Sequence, residues 1–76
     1  MFSYNVSTKA NRKDFEKACK KIENELAHIE KEDVLEDLDG SLIQIYATSN
    51  GKIKVFNDYE VDAVYVDSDI ELKSFN

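Results

Sequence analysis

The 76-residue chain carries 16 acidic and 10 basic side chains, a formal charge of −6, with no proline, two glycines and one cysteine. That length allows one thin-cored domain spanning residues 1–76, and a lone Cys19 excludes an internal disulfide scaffold. No apolar run is long enough for a bilayer and no basic segment leads into an apolar one near Met1, so neither membrane insertion nor secretion is expected and a cytoplasmic location is.

Phe2, Tyr4 and Val6 alternate with Ser3, Asn5 and Ser7, the period of a half-buried strand. Thr8 or Asn11 can then cap a helix, and Asp14 three residues after Asn11 completes a capping-box-like pair. Phe15, Ala18, Cys19, Ile22, Leu26 and Ile29 recur at spacings of three and four, one apolar stripe of a long amphipathic helix. The pattern ends it between Glu30 and Glu36. On that reading the charges oppose the helix dipole, with Lys9, Arg12 and Lys13 at the start and Glu30, Glu32 and Asp33 near the end.

Val34 to Leu38 reads as a brief strand paired across Asp39-Gly40, or as a plain link from helix to sheet. Leu42 to Thr48, Lys52 to Phe56 and Val61 to Val66 read as strands of an antiparallel meander, and Ile70 and Leu72 as a short last one. A three-residue loop Ser49-Asn50-Gly51 collects Ile43, Ile45, Ala47, Ile53 and Val55 on one face, joined by Val64 and Val66, so that register is the one expected, with Gly51 at positive φ. The opposite face then holds Leu42, Gln44, Tyr46, Lys52, Lys54, Phe56 and Tyr65, and no second helix is available to cover it. The fold class that follows is α+β: a short N-terminal strand and one long amphipathic helix packed on an antiparallel meander of three to four strands.

Catalytic and cofactor chemistry finds little support. A calcium loop aligned on Gly40 would need ligands where Leu35 and Tyr46 stand. Cys19 lies on the apolar stripe, and His28 is nine residues away on the same expected helix, so neither a zinc set nor a Cys–His dyad forms. No glycine-rich phosphate loop occurs. The sequence therefore predicts no enzyme activity, no cofactor and no specific metal site; weak divalent binding at Asp58, Glu60 and Asp62 or at Asp67, Asp69 and Glu71, if each set shares a strand face, is a remote alternative.

Charge is divided along the chain. Residues 1–29 hold six basic and four acidic side chains, net +2, and residues 30–76 hold four and twelve, net −8. Lys9, Arg12, Lys13, Lys17, Lys20 and Lys21 form a basic band, but Glu16, Glu23 and Glu25 dilute it and the acidic half repels phosphate, so direct nucleic-acid binding is not expected. The expectation is an acidic, non-enzymatic protein-interaction domain, in one form an inhibitor that imitates phosphates in the basic groove of a nucleic-acid-handling protein. Its contacts are predicted at Leu42, Tyr46, Phe56 and Tyr65, with Asp58, Glu60 and Asp62. The competing expectation is a structural domain, self-associating through the aromatic sheet face, whose acids only confer solubility.

Overall fold

Asn11 opens the helix in the expected way. In the computed structural model, which describes residues 1–75, its Oδ1 accepts from the Asp14 N–H at 2.8 Å, and its Nδ2 donates to the Asp14 carboxylate at 3.0 Å. Helix α1 runs Arg12–Glu25. Phe15, Ala18, Cys19 and Ile22 are buried along one face, as the stripe predicts. The helix stops earlier than its apolar period suggests. Leu26 is extended, though its N–H still reaches the Ile22 carbonyl, and His28 adopts φ 51°, which turns the chain away. Leu26 and Ile29 still pack on the core, but from the loop. Glu30, Glu32 and Asp33 are consequently off the helix; the acids in its last turn are Glu23 and Glu25, whose carboxylates are engaged by Tyr46 and Lys31 and by the Lys73 and Ser74 N–H groups.

The described residues hold six strands in one sheet: β1 Phe2–Ser7, β2 Glu30–Lys31, β3 Leu35–Glu36, β4 Leu42–Thr48, β5 Gly51–Asp58 and β6 Ala63–Ser68. The order is β1-β6-β5-β4-β2, with β3 also on β4, and every pairing is antiparallel. The sheet is thus wider than the three to four strands expected, because the N-terminal strand joins it beside β6, the brief strand near Val34 exists as β3, and Glu30–Lys31, expected near the helix end, pairs with β4 as β2. The expected strand at Ile70 and Leu72 does not form. Leu72 is instead fully buried, its N–H bonded to the Tyr4 hydroxyl at 2.8 Å, and a 3-10 helix follows at Lys73–Phe75. The Glu25 carboxylate accepts both the Lys73 and Ser74 N–H groups at 2.8 Å, fastening this segment to the end of α1.

The β4–β5 register differs from the expected one by a single residue on β4. The turn is two residues, Ser49-Asn50, with Thr48 opposite Gly51, Tyr46 opposite Ile53 and Gln44 opposite Val55. A one-residue slip exchanges the two faces of a strand. Leu42, Gln44 and Tyr46 therefore lie beneath α1 with Ile53, Val55, Val64 and Val66, while Ile43, Ile45 and Ala47 face away. Both faces of β4 are apolar, so hydrophobic pattern could not choose between them. The turn does: Gly51 takes φ 136°, and a Cβ there would stand 2.5 Å from the Asp69 Cβ. Asp69 in turn accepts the Lys52 N–H at 2.8 Å and donates its own N–H to the Lys52 carbonyl at 2.9 Å, locking the turn against the end of β6.

Candidate functional site

The β3–β4 and β5–β6 connections lie at the same end of the sheet, and each is built by its own acids. In the first, the Gly40 N–H donates to the Asp37 carbonyl at 3.0 Å, the Asp37 N–H to the Ser41 carbonyl at 2.9 Å, and the Ser41 N–H to Asp39 Oδ1 at 2.9 Å. In the second, Asp58 Oδ1 accepts from Glu60 N–H at 2.9 Å and Val61 N–H at 3.3 Å, while its Oδ2 accepts the Tyr65 hydroxyl at 3.1 Å. Short polar side chains that bond the backbone two residues on are the usual makers of such turns. The two turns are tied together: Ser41 Oγ accepts the Tyr59 N–H at 3.0 Å, and the Tyr59 ring lies where a Cβ on Gly40, which takes φ 88°, would meet it at 3.6 Å.

Between them is a cleft of about 330 Å3. Its apolar lining comes from Leu35, Leu42, Ile43 and Phe56, and its acidic lining from Glu36, Asp37, Asp39, Asp58 and Glu60. Among the described residues the ion pairs are Arg12–Glu16, Lys31–Glu23 and Lys52–Glu32, so none of those five is neutralised by a cation. The Ser41 backbone N–H, assisted by its side chain, holds the Asp39 carboxyl below the usual carboxylate range. Burial, the hydrogen bond to Asp58 and the charges of Asp58 and Asp67 push the Tyr65 phenol up. Leu35, Leu38, Tyr59 and Val61 project as exposed apolar side chains around the same end. Asn57, also at the cleft, is buried, and its Oδ1 has no hydrogen-bond donor among the described residues.

No family model, curated protein or solved structure matches this chain. The cleft must be interpreted from its own chemistry.

The structure divides the residues expected to make contacts. Phe56 and Tyr65 are on the sheet face away from the helix, stacked at 4.6 Å between centroids, and Phe56 reaches the cleft. Asp58 and Glu60 line the cleft as well. Leu42 and Tyr46 do not belong to an open face: both are buried in the core, 4% and 0% exposed, because of the β4 register, although Leu42 also contributes to the lining of the cleft. Asp62 is in the β5–β6 turn at φ 55°, with Oδ1 accepting the Ala10 N–H at 2.9 Å. Asp58, Glu60 and Asp62 therefore do not share a strand face, since β5 ends at Asp58. Sequence reasoning missed Glu36, Asp37 and Asp39. The signal was present in the acid-dense stretch through the Asp39-Gly40 turn, but the partner turn that completes the cleft is about twenty residues further along the chain.

Other constellations serve the fold. The Tyr46 hydroxyl, at the bottom of the core, donates to the Glu23 carboxylate, which also holds Lys31 at 3.0 Å. Burial and this bond push the Tyr46 phenol far above its ordinary range, and the same bond, with Lys31, draws the Glu23 carboxyl down. Burial raises the Cys19 thiol, which disfavours the reactive thiolate. Among the described residues no group of three or more His, Cys, Asp or Glu side chains is placed to hold a metal ion. No described helix is long and apolar enough to cross a membrane.

Proposed function

We propose that this chain is a non-enzymatic interaction domain whose acidic cleft receives a basic, partly apolar segment of another protein. The observation that carries the reading is that five acidic residues, none in an ion pair among the described residues, line one cleft together with Leu35, Ile43 and Phe56. An arginine side chain suits both parts. Its guanidinium binds carboxylates in a forked geometry and stacks on aromatic faces, and its methylene stem covers apolar surface. The exposed Leu38, Tyr59 and Val61 supply apolar contacts beside the charged centre. One concrete form is an inhibitor that places carboxylates where a nucleic-acid-handling protein expects phosphates.

An oligo-arginine peptide titrated calorimetrically at low and moderate salt tests this reading. Glu36 and Glu60 are the side chains to reverse, because neither carboxylate accepts a hydrogen bond among the described residues, whereas Asp58 and Asp39 build their turns. Glu36→Lys/Glu60→Lys should abolish a binding that weakens with salt. The charge-matched Glu30→Lys/Glu71→Lys variant should retain most of it, since those acids lie outside the cleft. No binding by the wild type at low salt, or equal loss in both variants, would reject the cleft as the site.

A further inference from the structure

The two edges of the sheet are built differently. Along β2 and β3, residues 30–37 carry five acids and one lysine. The pairing with β4 also shifts by one residue between Glu30↔Ala47 and Leu35↔Ile43, so this edge is both charged and broken. Broken, charged edges resist pairing with another strand. The β1 edge has neither device over its first half. Residues 1–8 contain no charged side chain and no proline, and the register with β6 is regular from Phe2 to Asn5, with an irregularity only beyond it. β1 has a neighbour on one side alone, and outside its ladder with β6 the backbone of Phe2 to Val6 makes no hydrogen bond among the described residues. Phe2 and Met1 are exposed beside it.

We propose that β1 pairs with β1 of a second copy of this chain, antiparallel about a two-fold axis, to make one continuous sheet. Charge selects both the edge and the occupant. Each copy carries −6, and β1 itself bears no charged side chain, so repulsion between two copies is low along it; the nearest carboxylate, Asp67 on β6, accepts the Ser3 hydroxyl at 2.9 Å. A foreign strand chosen by charge would find nothing here to read. An isologous contact needs only self-complementarity. The faces fix the register: Phe2 and Tyr4 lie on the helix side, opposite Ser68 and Val66, and Ser3 and Asn5 on the open side. With Tyr4 on the axis, Ser3 of one copy stands opposite Asn5 of the other, a polar pair, and Phe2 opposite Val6, an apolar one. Both helices then share one face of the joined sheet. The acidic cleft, on the β3–β4–β5 side, stays open in both copies.

Sedimentation from low to high micromolar concentration, with paired variants, tests the register directly. Ser3→Lys/Asn5→Lys places lysine opposite lysine twice and should weaken dimerisation by about tenfold, although it lowers the net charge of each copy. Ser3→Lys/Asn5→Glu places opposite charges in the same positions and should dimerise at least as well as the wild type. A wild type that stays monomeric throughout, or a Lys/Glu variant that dimerises no better than the Lys/Lys one, overturns the proposal. Hydrogen exchange on the unaltered chain reads the same contact without any substitution. Amides of Phe2 to Asn5 should gain protection as concentration rises; protection gained instead at β2 and β3 overturns it.

Discussion

Tyr46 shows how one side chain can be apolar in bulk and still set the pH range of a fold. Its ring fills the core at 0% exposure, and its hydroxyl reaches the Glu23 carboxylate, which is in turn held by Lys31 of β2. Helix α1, β2 and β4 thus meet at one hydrogen-bonded point. The Glu23 carboxyl titrates below its ordinary range when folded, so the stability it contributes is present above about pH 4 and is lost as pH falls through the lowered value. The Tyr46 phenol titrates above its ordinary range when folded, so its contribution is present below about pH 10 and is lost as pH rises beyond that. Tyr46→Phe should cost about 1 kcal/mol near neutrality and flatten both flanks of the stability profile. Urea unfolding across that pH range, with the Glu23 carboxyl followed by NMR, measures it. An unchanged acid flank and an unmoved Glu23 carboxyl in the variant would show that the bond does not couple the two groups.

At the scale of elements, the β4–β5 hairpin decides which side chains form the core. Ile22 of the helix is fully buried and packs in the cluster with Tyr46, Ile53 and Val66, so Ile22→Ala should cost about 2–5 kcal/mol. Ile45, on the face away from the helix, should cost about 1 kcal/mol when changed to alanine. Equal losses for the two, read by thermal or urea unfolding, would restore the alternative register. Much of the architecture was legible in the chain. The helix start follows from Asn11 and Asp14, the β5 and β6 faces from Ile53, Val55, Val64 and Val66, and the α+β class from one stripe followed by alternating runs. The helix end was not, because Leu26 and Ile29 continue the apolar period while packing from a loop. The β4 face was not, because Leu42 and Tyr46 compete with Ile43 and Ile45, and the close approach of Asp69 to Gly51, eighteen residues away in the chain, settles it. The cleft was half legible: Phe56, Asp58 and Glu60 were identified from sequence, but their juxtaposition with Glu36, Asp37 and Asp39 is a property of strand order.

Across the whole molecule, charge that looks like a gradient along the chain becomes a localised feature in space. The carboxylates of Glu23, Glu25 and Asp69 are absorbed into hydrogen bonds that hold helix, 3-10 segment and turn together. Those of the cleft are not neutralised, and the unpaired Asn57 oxygen lies at the same end. Places where a fold sacrifices local stability are often where it meets something else. Five like charges around one cleft repel, and the repulsion is screened by salt. Glu36→Gln/Glu60→Gln should therefore raise stability by a few tenths to about 1 kcal/mol at low ionic strength, and the gain should shrink as salt is added. The same pair should weaken oligo-arginine binding. Thermal unfolding over a salt series, run beside calorimetric titration, reads both effects on one set of samples. If removing these two charges lowers stability at low salt, the carboxylates are supporting the fold and the cleft loses its claim to be held ready for a basic partner.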